Sequence, residues 1–410
     1  MAASRIRDIL LPTDPLSLGT DIVVNMEYLS FNDRWIALTL NRSSWIDWQG
    51  VTYVNVSGTI FNDLINEQAS ELHTYINGGE GNDVLLGGTN GDTLHGGAGN
   101  DLLDGSANNS SAYDAAEFSG SQSRYSWAKV TTTGDATNGT VSINGEHVAT
   151  VTNNELLPDV TVFVETLSVL HLALVNGKLF DNGVGYLITD SLSAELGGEG
   201  TDLAFGVEAL CFNDGRFELT VRADAWDWDG NGTLDAVSVI GTGDNDSVTL
   251  AALASLTSRT VDELEKIRVD SELKGGDDIY IGGNGADCIR PGAGNDYVDA
   301  GGNSVTDQWG NVVRDEVHFE GAFSRYIVED IALLKNSDTG TWAISSERDT
   351  VTLTNNTVLT STQAVTLQLD VAAMQQAVQA MIAHAGNVTE VHGWLVIDKL
   401  PASMEGYGVD

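Results

Sequence analysis

Three nine-residue blocks stand back to back in this chain. They run from Gly78 to Leu86, from Gly87 to His95 and from Gly96 to Asp104, and each reads G-G-x-(G/N)-x-D-x-L-x. A second run covers Leu273 to Ile281, Gly282 to Arg290 and Pro291 to Asp299. The aspartates Asp83, Asp92 and Asp101 recur every ninth residue, and Asp278, Asp287 and Asp296 do the same. Glycines permit tight turns that send carbonyls inward. The x-L-x that follows is a minimal strand with one apolar side chain facing in. One block makes a turn and a strand, and two blocks make one circuit of a flattened solenoid. The inward stacks are then Leu85, Leu94 and Leu103, and Tyr280, Ile289 and Val298. A Gly/Asp-rich linker has no reason to keep an apolar residue at every ninth position.

The same geometry predicts a metal. Turns two blocks apart lie on one edge, about 4.8 Å apart as neighbouring strands. Calcium takes about 6–8 oxygens at roughly 2.3–2.6 Å, which bent backbone and carboxylates can supply. One site is expected between Asp83 and Asp101, and another between Asp278 and Asp296. Asp92 and Asp287 fall on the opposite edge and take partners from flanking coils. The turn glycines and amide expected to frame the sites are Gly79, Gly81, Gly88, Asn90, Gly97, Gly99, Gly276, Gly283, Gly285, Gly292 and Gly294.

The blocks resemble the hemolysin-type calcium-binding (RTX) repeat of type I-secreted bacterial proteins. The resemblance implies two calcium-binding parallel β-rolls in tandem, and with flanking strands and a C-terminal helix read from the spacing below, the fold expected is all-β. It also implies Ca2+ as cofactor and export by a one-step exporter that reads an uncleaved C-terminal signal. The localisation implied is secreted, extracellular or cell surface.

The repeats sit within a longer duplication. Gly19-Thr20-Asp21-Ile22, Glu27, Leu29 and Phe31-Asn32-Asp33 match Gly200-Thr201-Asp202-Leu203, Glu208, Leu210 and Phe212-Asn213-Asp214. Trp45 to Gly50 matches Trp226 to Gly230. After each run, Phe118-Ser119-Gly120 and Ser123-Arg124-Tyr125 match Phe319-Glu320-Gly321 and Ser324-Arg325-Tyr326. Insertions separate these landmarks, as loops on a repeat scaffold do. Gly58 to Asn66 and Gly241 to Thr249 look like degenerate entry repeats with Asp63 and Asp246 at the ligand position. The Ser-Arg-Tyr segments read as strands leaving the repeats, with the arginine solvated or paired to an acidic group. Five segments follow: an N-terminal β region (1–57), the first repeat run with its exit strand (58–127), a β-rich insertion with the second unit's start (128–239), the second run with its exit strand (240–328), and a C-terminal region (329–410). The apolar stretch from Val160 to Leu174 is read as extra strands. The chain begins inside the repeating unit, as expected of a piece of a larger protein or of a half-unit start.

Asp227, Asp229, Asn231 and Asp235 form a separate candidate. They place oxygens at alternate positions around Gly232, like an EF-hand loop. Position 12 is Ser238 instead of the bidentate glutamate, so a tight Asx-rich turn is the alternative.

Composition bounds the partners. There are 19 basic and 59 acidic residues, a net charge of −40. Such a surface disfavours nucleic acid and anionic membrane and favours divalent cations. The two cysteines, Cys211 and Cys288, form no disulfide framework, so stabilisation must come from elsewhere. The N-terminus lacks the apolar run of a secretory signal. Asp370 to Gly386 carries the spacing of a helix, with Val371, Met374, Val378, Met381 and Ile382 on one face. It suits a cap, an export signal or a docking helix.

No H-E-x-x-H, G-x-S-x-G, Walker or dinucleotide-binding motif is present. The expectation is a non-enzymatic extracellular protein with a structural or adhesive role, such as a surface-layer or matrix component. Its partners would be calcium, its own copies or a cell-surface glycan. The alternative is a glycan-active enzyme or accessory module, which exposed aromatics and carboxylates in one groove would favour.

Overall fold

The computed structural model describes residues 3–7, 20–24, 26–31, 35–48, 50–106, 113–158, 162–181, 184–302, 314–338, 341–346, 350–352, 382 and 390–398. Two compact units emerge, Met1–Phe217 and Glu218–Asp410. Strands dominate both. No helix among the described residues is long and apolar enough to cross a membrane.

In the first unit the repeats alternate between two sheets. Leu64–Asn66, Val84–Leu86 and Leu102–Asp104 pair side by side and in parallel in one. Thr52–Ser57, His73–Glu80, Thr93–Ala98 and Ala115–Glu117 do so in the other. Leu85 lies against Leu103, eighteen residues on, which is two nonapeptides and one circuit. Leu85, Leu94 and Leu103 are fully buried, as the period predicts. The second unit repeats the pattern, with Ser247–Thr249, Ile279–Ile281 and Tyr297–Asp299 parallel in one sheet. Ala236–Ile240, Arg268–Glu272, Cys288–Arg290 and Glu316–Val317 are parallel in the other. Tyr280 and Ile289 are fully buried there, and Val298 packs against the same core.

These sheets are mixed, not purely parallel. Antiparallel strands extend them, among them Asn41–Ile46 against Thr52–Ser57 and Arg222–Trp226 against Ala236–Ile240. The expected exit strands are present as Tyr125–Gly134 and Tyr326–Lys335. Each pairs antiparallel with a returning strand, Val184–Asp190 and Glu390–Asp398 respectively.

Three expectations need correction. The apolar stretch after Val160 forms the helix Val164–Val175, not strands. It lacks the alternation that a half-buried strand shows, and Val169, Leu170, Ala173 and Leu174 recur at helical spacing and are buried. Helices Leu250–Thr257 and Val261–Leu264 also interrupt the second repeat run, between its entry strand and Arg268–Glu272. Residues 200–214, read from the duplication as opening the second unit, fold onto the first. Thr201–Phe205 adds in parallel to Leu102–Asp104, and Ala209–Phe212 adds to Ala115–Glu117. The helix expected over 371–386 lies outside the described residues apart from Ile382.

Candidate metal centre

The stacking brings the periodic aspartates into ladders. On one edge of the first unit, Asp63 N–H donates to Asp83 Oδ1 at 2.7 Å and Asp83 N–H donates to Asp101 Oδ1 at 2.7 Å. Asp101 N–H donates to Asp202 Oδ1 at 2.8 Å, across 101 residues of sequence. On the opposite edge, Thr74 N–H donates to Asp92 Oδ1, Asp92 N–H to Asp114 Oδ1 and Asp114 N–H to Glu208 Oε2, at 2.7, 2.6 and 2.6 Å. The second unit repeats both. Asp246 N–H donates to Asp278 and Asp278 N–H to Asp296, at 2.7 and 2.8 Å. Val269 N–H donates to Asp287 and Asp287 N–H to Asp315, at 3.1 and 3.0 Å.

A second ladder runs beside the first in the opposite sense. Asn82 N–H donates to Asn62, Asn100 N–H to Asn82 and Thr201 N–H to Asn100, all through Oδ1 at 2.9–3.0 Å. In the second unit Asp277 N–H donates to Asn245 and Asn295 N–H to Asp277. On this edge the residue before the aspartate, treated as free in the repeat pattern, thus locks neighbouring turns together.

Asp83, Asp101 and Asp278 each use one oxygen on the backbone and hold the other inside. Asp83, Asp101 and Asp278 are buried, and their Oδ2 atoms have no hydrogen-bond partner among the described residues. A Cβ on Gly78 or Gly96 would collide with Asp83 Oδ2 or Asp101 Oδ2. Burial pushes the Asp83 carboxyl up to about 7, with Asp63 adding repulsion. Asp101 rises to about 7 through burial and then the charges of Asp83 and Glu199. Asp278 rises to about 8 through burial, Asp296 and Asp246. Asp202, wholly enclosed, is raised by burial and by Asp101. Buried anionic oxygens that the protein leaves uncompensated suit a hard cation, and a carboxylate–carbonyl donor set is what calcium prefers.

The opposite edge is better satisfied from within. Asp92 also accepts from Gly88 N–H, and Asp287 accepts from the Tyr280 hydroxyl at 3.0 Å. Burial still raises both, Asp287 to about 6 with Asp315 contributing. At the entry end, the Asp63 carboxylate accepts from Thr59 N–H and Oγ at 2.7 and 2.9 Å, and Asp246 does the same with Thr242. These two cap the stack through their own turns. The Asn90 amide donates to the Glu71 carbonyl.

The glycines divide by role. Gly79, Gly81, Gly97, Gly99, Gly276, Gly292 and Gly294 have positive φ. Gly79, at φ 106°, also presses so close to the Thr59 carbonyl that no Cβ fits. Gly88, Gly283 and Gly285 have no such φ, but a Cβ on them would meet the backbones of Ser70, Glu265 and Ile267 respectively.

The loop at 227–235 also gathers. Carboxylate oxygens of Asp227, Asp229 and Asp235 lie within 4.8 Å of one another. Asp227 accepts from Gly232 N–H at 2.8 Å, and such backbone bonds hold its carboxyl below the usual range. Asp235 accepts from Trp228 N–H at 2.7 Å, while the Asn231 amide donates to Asp229 at 2.8 Å.

A family model described as the RTX calcium-binding nonapeptide repeat (4 copies) matches residues 77–111 and 274–304. These segments are RTX repeats. RTX nonapeptides bind Ca2+, so the ladders carry the oxygens that would hold it: Asp83, Asp101 and Asp278 by their inner carboxylates, with turn carbonyls around them. No curated protein matches the chain.

The sequence reading missed Asp202, Asp114, Glu208 and Asp315 as rungs. For Asp202 a signal existed: Gly197-Gly198-Glu199-Gly200-Thr201-Asp202-Leu203-Ala204-Phe205 follows the nonapeptide pattern except that Ala204 stands in the leucine position. Its distance from the other blocks concealed it. The exit arginines are also resolved. Arg124 forms a two-pronged ion pair with Asp190, and Arg325 with Asp398, so the paired alternative holds in both units. Cys211 and Cys288 are free thiols.

Proposed function

We propose that this is an exported, non-enzymatic structural or adhesive protein whose repeat stacks are calcium-filled β-rolls. The observation that carries the reading is the row of buried, unpartnered carboxylate oxygens on adjacent coils. Like charges at that spacing oppose folding until a cation is placed among them. With four sites of roughly 0.3 mM dissociation constant, about 3 mM calcium adds about 1.4 kcal/mol per site. Together that is about 6 kcal/mol, comparable with the stability of a whole domain at about 5–15 kcal/mol. The chain would stay open in a calcium-poor cytosol and fold outside. Export by a type I route and calcium-dependent self-association on a cell surface fit that behaviour. Circular dichroism and thermal melting in chelator and in millimolar calcium test it. Calcium should restore β signal and raise the melting temperature. Identical spectra and melts, with metal content verified at zero, would sink the reading.

One observation favours a glycan-binding accessory role as the second reading. Trp45 stacks on Tyr53 at 4.5 Å and Tyr53 on His73 at 5.4 Å, beside a groove of about 390 Å³ that also takes in Asn55, Tyr75 and Thr93. The second unit has a groove of about 300 Å³ at the matching strands, lined by Trp226, Trp228, Ser238 and Asp270. Glycan-array binding that is lost on Trp45→Ala would support this reading. An array without signal would remove it.

A further inference from the structure

The two edges of each stack are built differently. On the edge of Asp83 and Asp101, the second and fourth residues of each block take left-handed backbone: Gly79 and Gly81, then Gly97 and Gly99, with φ between 98° and 154°. The second unit does the same on the edge of Asp278 and Asp296, at Lys274 and Gly276 and again at Gly292 and Gly294. Lys274 is the telling member. It holds φ at 76° although a side chain disfavours that region, so the turn and not the residue type sets the shape. The intervening blocks, on the opposite edge, lack this form. None of Gly88, Asn90, Gly283 and Gly285 takes a left-handed φ.

The hydrogen bonds divide in the same way. Left-handed turns bond directly to one another from coil to coil. Gly81 N–H donates to the Ala98 carbonyl at 2.8 Å, and Gly276 N–H donates to that of Ala293 at 2.9 Å. The opposite turns bond to chain outside the repeats. Thr89 N–H donates to the Ser70 carbonyl at 3.1 Å, and Asn284 N–H donates to that of Glu265.

The carboxylates follow the backbone. On the left-handed edge the ladder passes from aspartate to aspartate. The inner oxygens of Asp83, Asp101 and Asp278 are buried there with no donor among the described residues. On the opposite edge the coil before Asp92 brings Thr74, and the coil before Asp287 brings Val269, so neither of these neighbours adds a carboxylate. The second oxygen is used as well. Asp92 Oδ2 accepts from Gly88 N–H of its own turn. Asp287 Oδ2 accepts from the Tyr280 hydroxyl at 3.0 Å, which reaches it from the core. Leu85 holds the matching position in the first unit and has nothing to donate.

We propose that calcium lines one edge of each stack, that of Asp83, Asp101 and Asp202 and that of Asp278 and Asp296, while Asp92 and Asp287 are closed by protein donors and bind none. The distant turn belongs to the first edge. Gly200 shares its left-handed φ, at 88°, and approaches the Gly99 carbonyl too closely for a Cβ. A cation at Asp92 or Asp287 would have to displace a buried N–H or O–H and leave it unsatisfied, a penalty that binding beside Asp83 or Asp278 never meets. The inference deepens the calcium reading above and rests on it. Metal then clamps one edge of the stack, and hydrogen bonds that need no metal hold the other.

The test is bound calcium per full chain, measured by equilibrium dialysis against labelled calcium, for wild type and for paired substitutions. Asp92→Asn/Asp287→Asn should bind as much as wild type, and Asp83→Asn/Asp278→Asn should bind less. Dichroism in calcium shows whether each variant is folded. Should either fail to fold, crystals of wild type grown with terbium in place of calcium locate the ions by anomalous scattering, with peaks expected beside Asp83 and Asp278. Calcium lost from a folded Asp92→Asn/Asp287→Asn chain, or a terbium peak at Asp92 or Asp287, would overturn the proposal and leave the calcium reading intact. Undiminished binding by a folded Asp83→Asn/Asp278→Asn chain would do the same. A wild-type chain that binds no calcium would sink both.

Discussion

In the first unit the carboxylate ladders extend to Asp202 and Glu208, delivered by a strand pair that returns after the long excursion through residues 125–190. In the second unit the described rungs are Asp246, Asp278 and Asp296 on one edge and Asp287 and Asp315 on the other, with helices Leu250–Thr257 and Val261–Leu264 inserted after the entry strand. The nine-residue code is the same in both. Each coil contacts only its neighbours, so the interior of a stack is set locally and the last coil depends on what covers it. The comparison teaches that one repeat code can serve stacks with different neighbours, and that in the first unit a segment 101 residues on supplies the next rung.

The sharpest way to break the difference is to remove the rung that the distant segment supplies. Asp202→Ala should make the first ladder end at Asp101. In about 3 mM calcium the loss of one site should cost about 1.4 kcal/mol, or roughly 3–6 °C of melting temperature in a domain of this size. In chelator the sign should change, because a buried carboxylate that repels Asp101 has gone. Calorimetry under both conditions checks this, and equal destabilisation in both would refute a metal role for Asp202.

Acid should separate the units next. Without calcium, burial raises Asp83 and Asp101 to about 7 and Asp278 to about 8, far above the ~3.9 of an unfolded aspartate. The folded state therefore binds more protons than the unfolded one. That contribution is fully present below about pH 4 and is lost as pH rises through about 7 in the first unit and about 8 in the second. Calcium-free melting temperature should fall across this range, with the second unit's loss extending to higher pH. Calcium binding at about pH 6 should release protons, measurable as a buffer-dependent binding enthalpy. A flat calcium-free profile would contradict the buried ladders.

The smallest difference is expected at the exit strands. Arg124 with Asp190 and Arg325 with Asp398 are the same contact, made on equally covered aspartates. Asp190 stays below its usual range although burial opposes this, because Arg124 and the N–H groups of Leu192 and Glu199 outweigh it. Arg124→Met and Arg325→Met should each destabilise by about 1–3 kcal/mol, the scale of a buried charge that loses one partner. Urea titrations should give matching losses in the two units. A loss confined to one would show that the strands do different work.

The sequence alone determined the interior of each stack. A nine-residue period with an apolar residue in each x-L-x forces turn, strand and inward side chain, and so places Leu85 on Leu103 and Asp83 beside Asp101. These are local consequences of backbone geometry repeated along the chain. The duplication was legible for the same reason, but its meaning was not. Residues 200–214 matched residues 19–33 and read as the start of a new unit, whereas the fold uses them to finish the old one. The helix at Val164–Val175 escaped because an apolar run has no period by which strand and helix differ until a core selects a face. Only the tertiary structure decided that Asp202 meets Asp101, that Glu208 meets Asp114, and that Met26, Tyr28 and Phe31 stand bare. Pairings across such sequence distances are fixed by which edge is left open, and an open edge is a property of the assembled sheets.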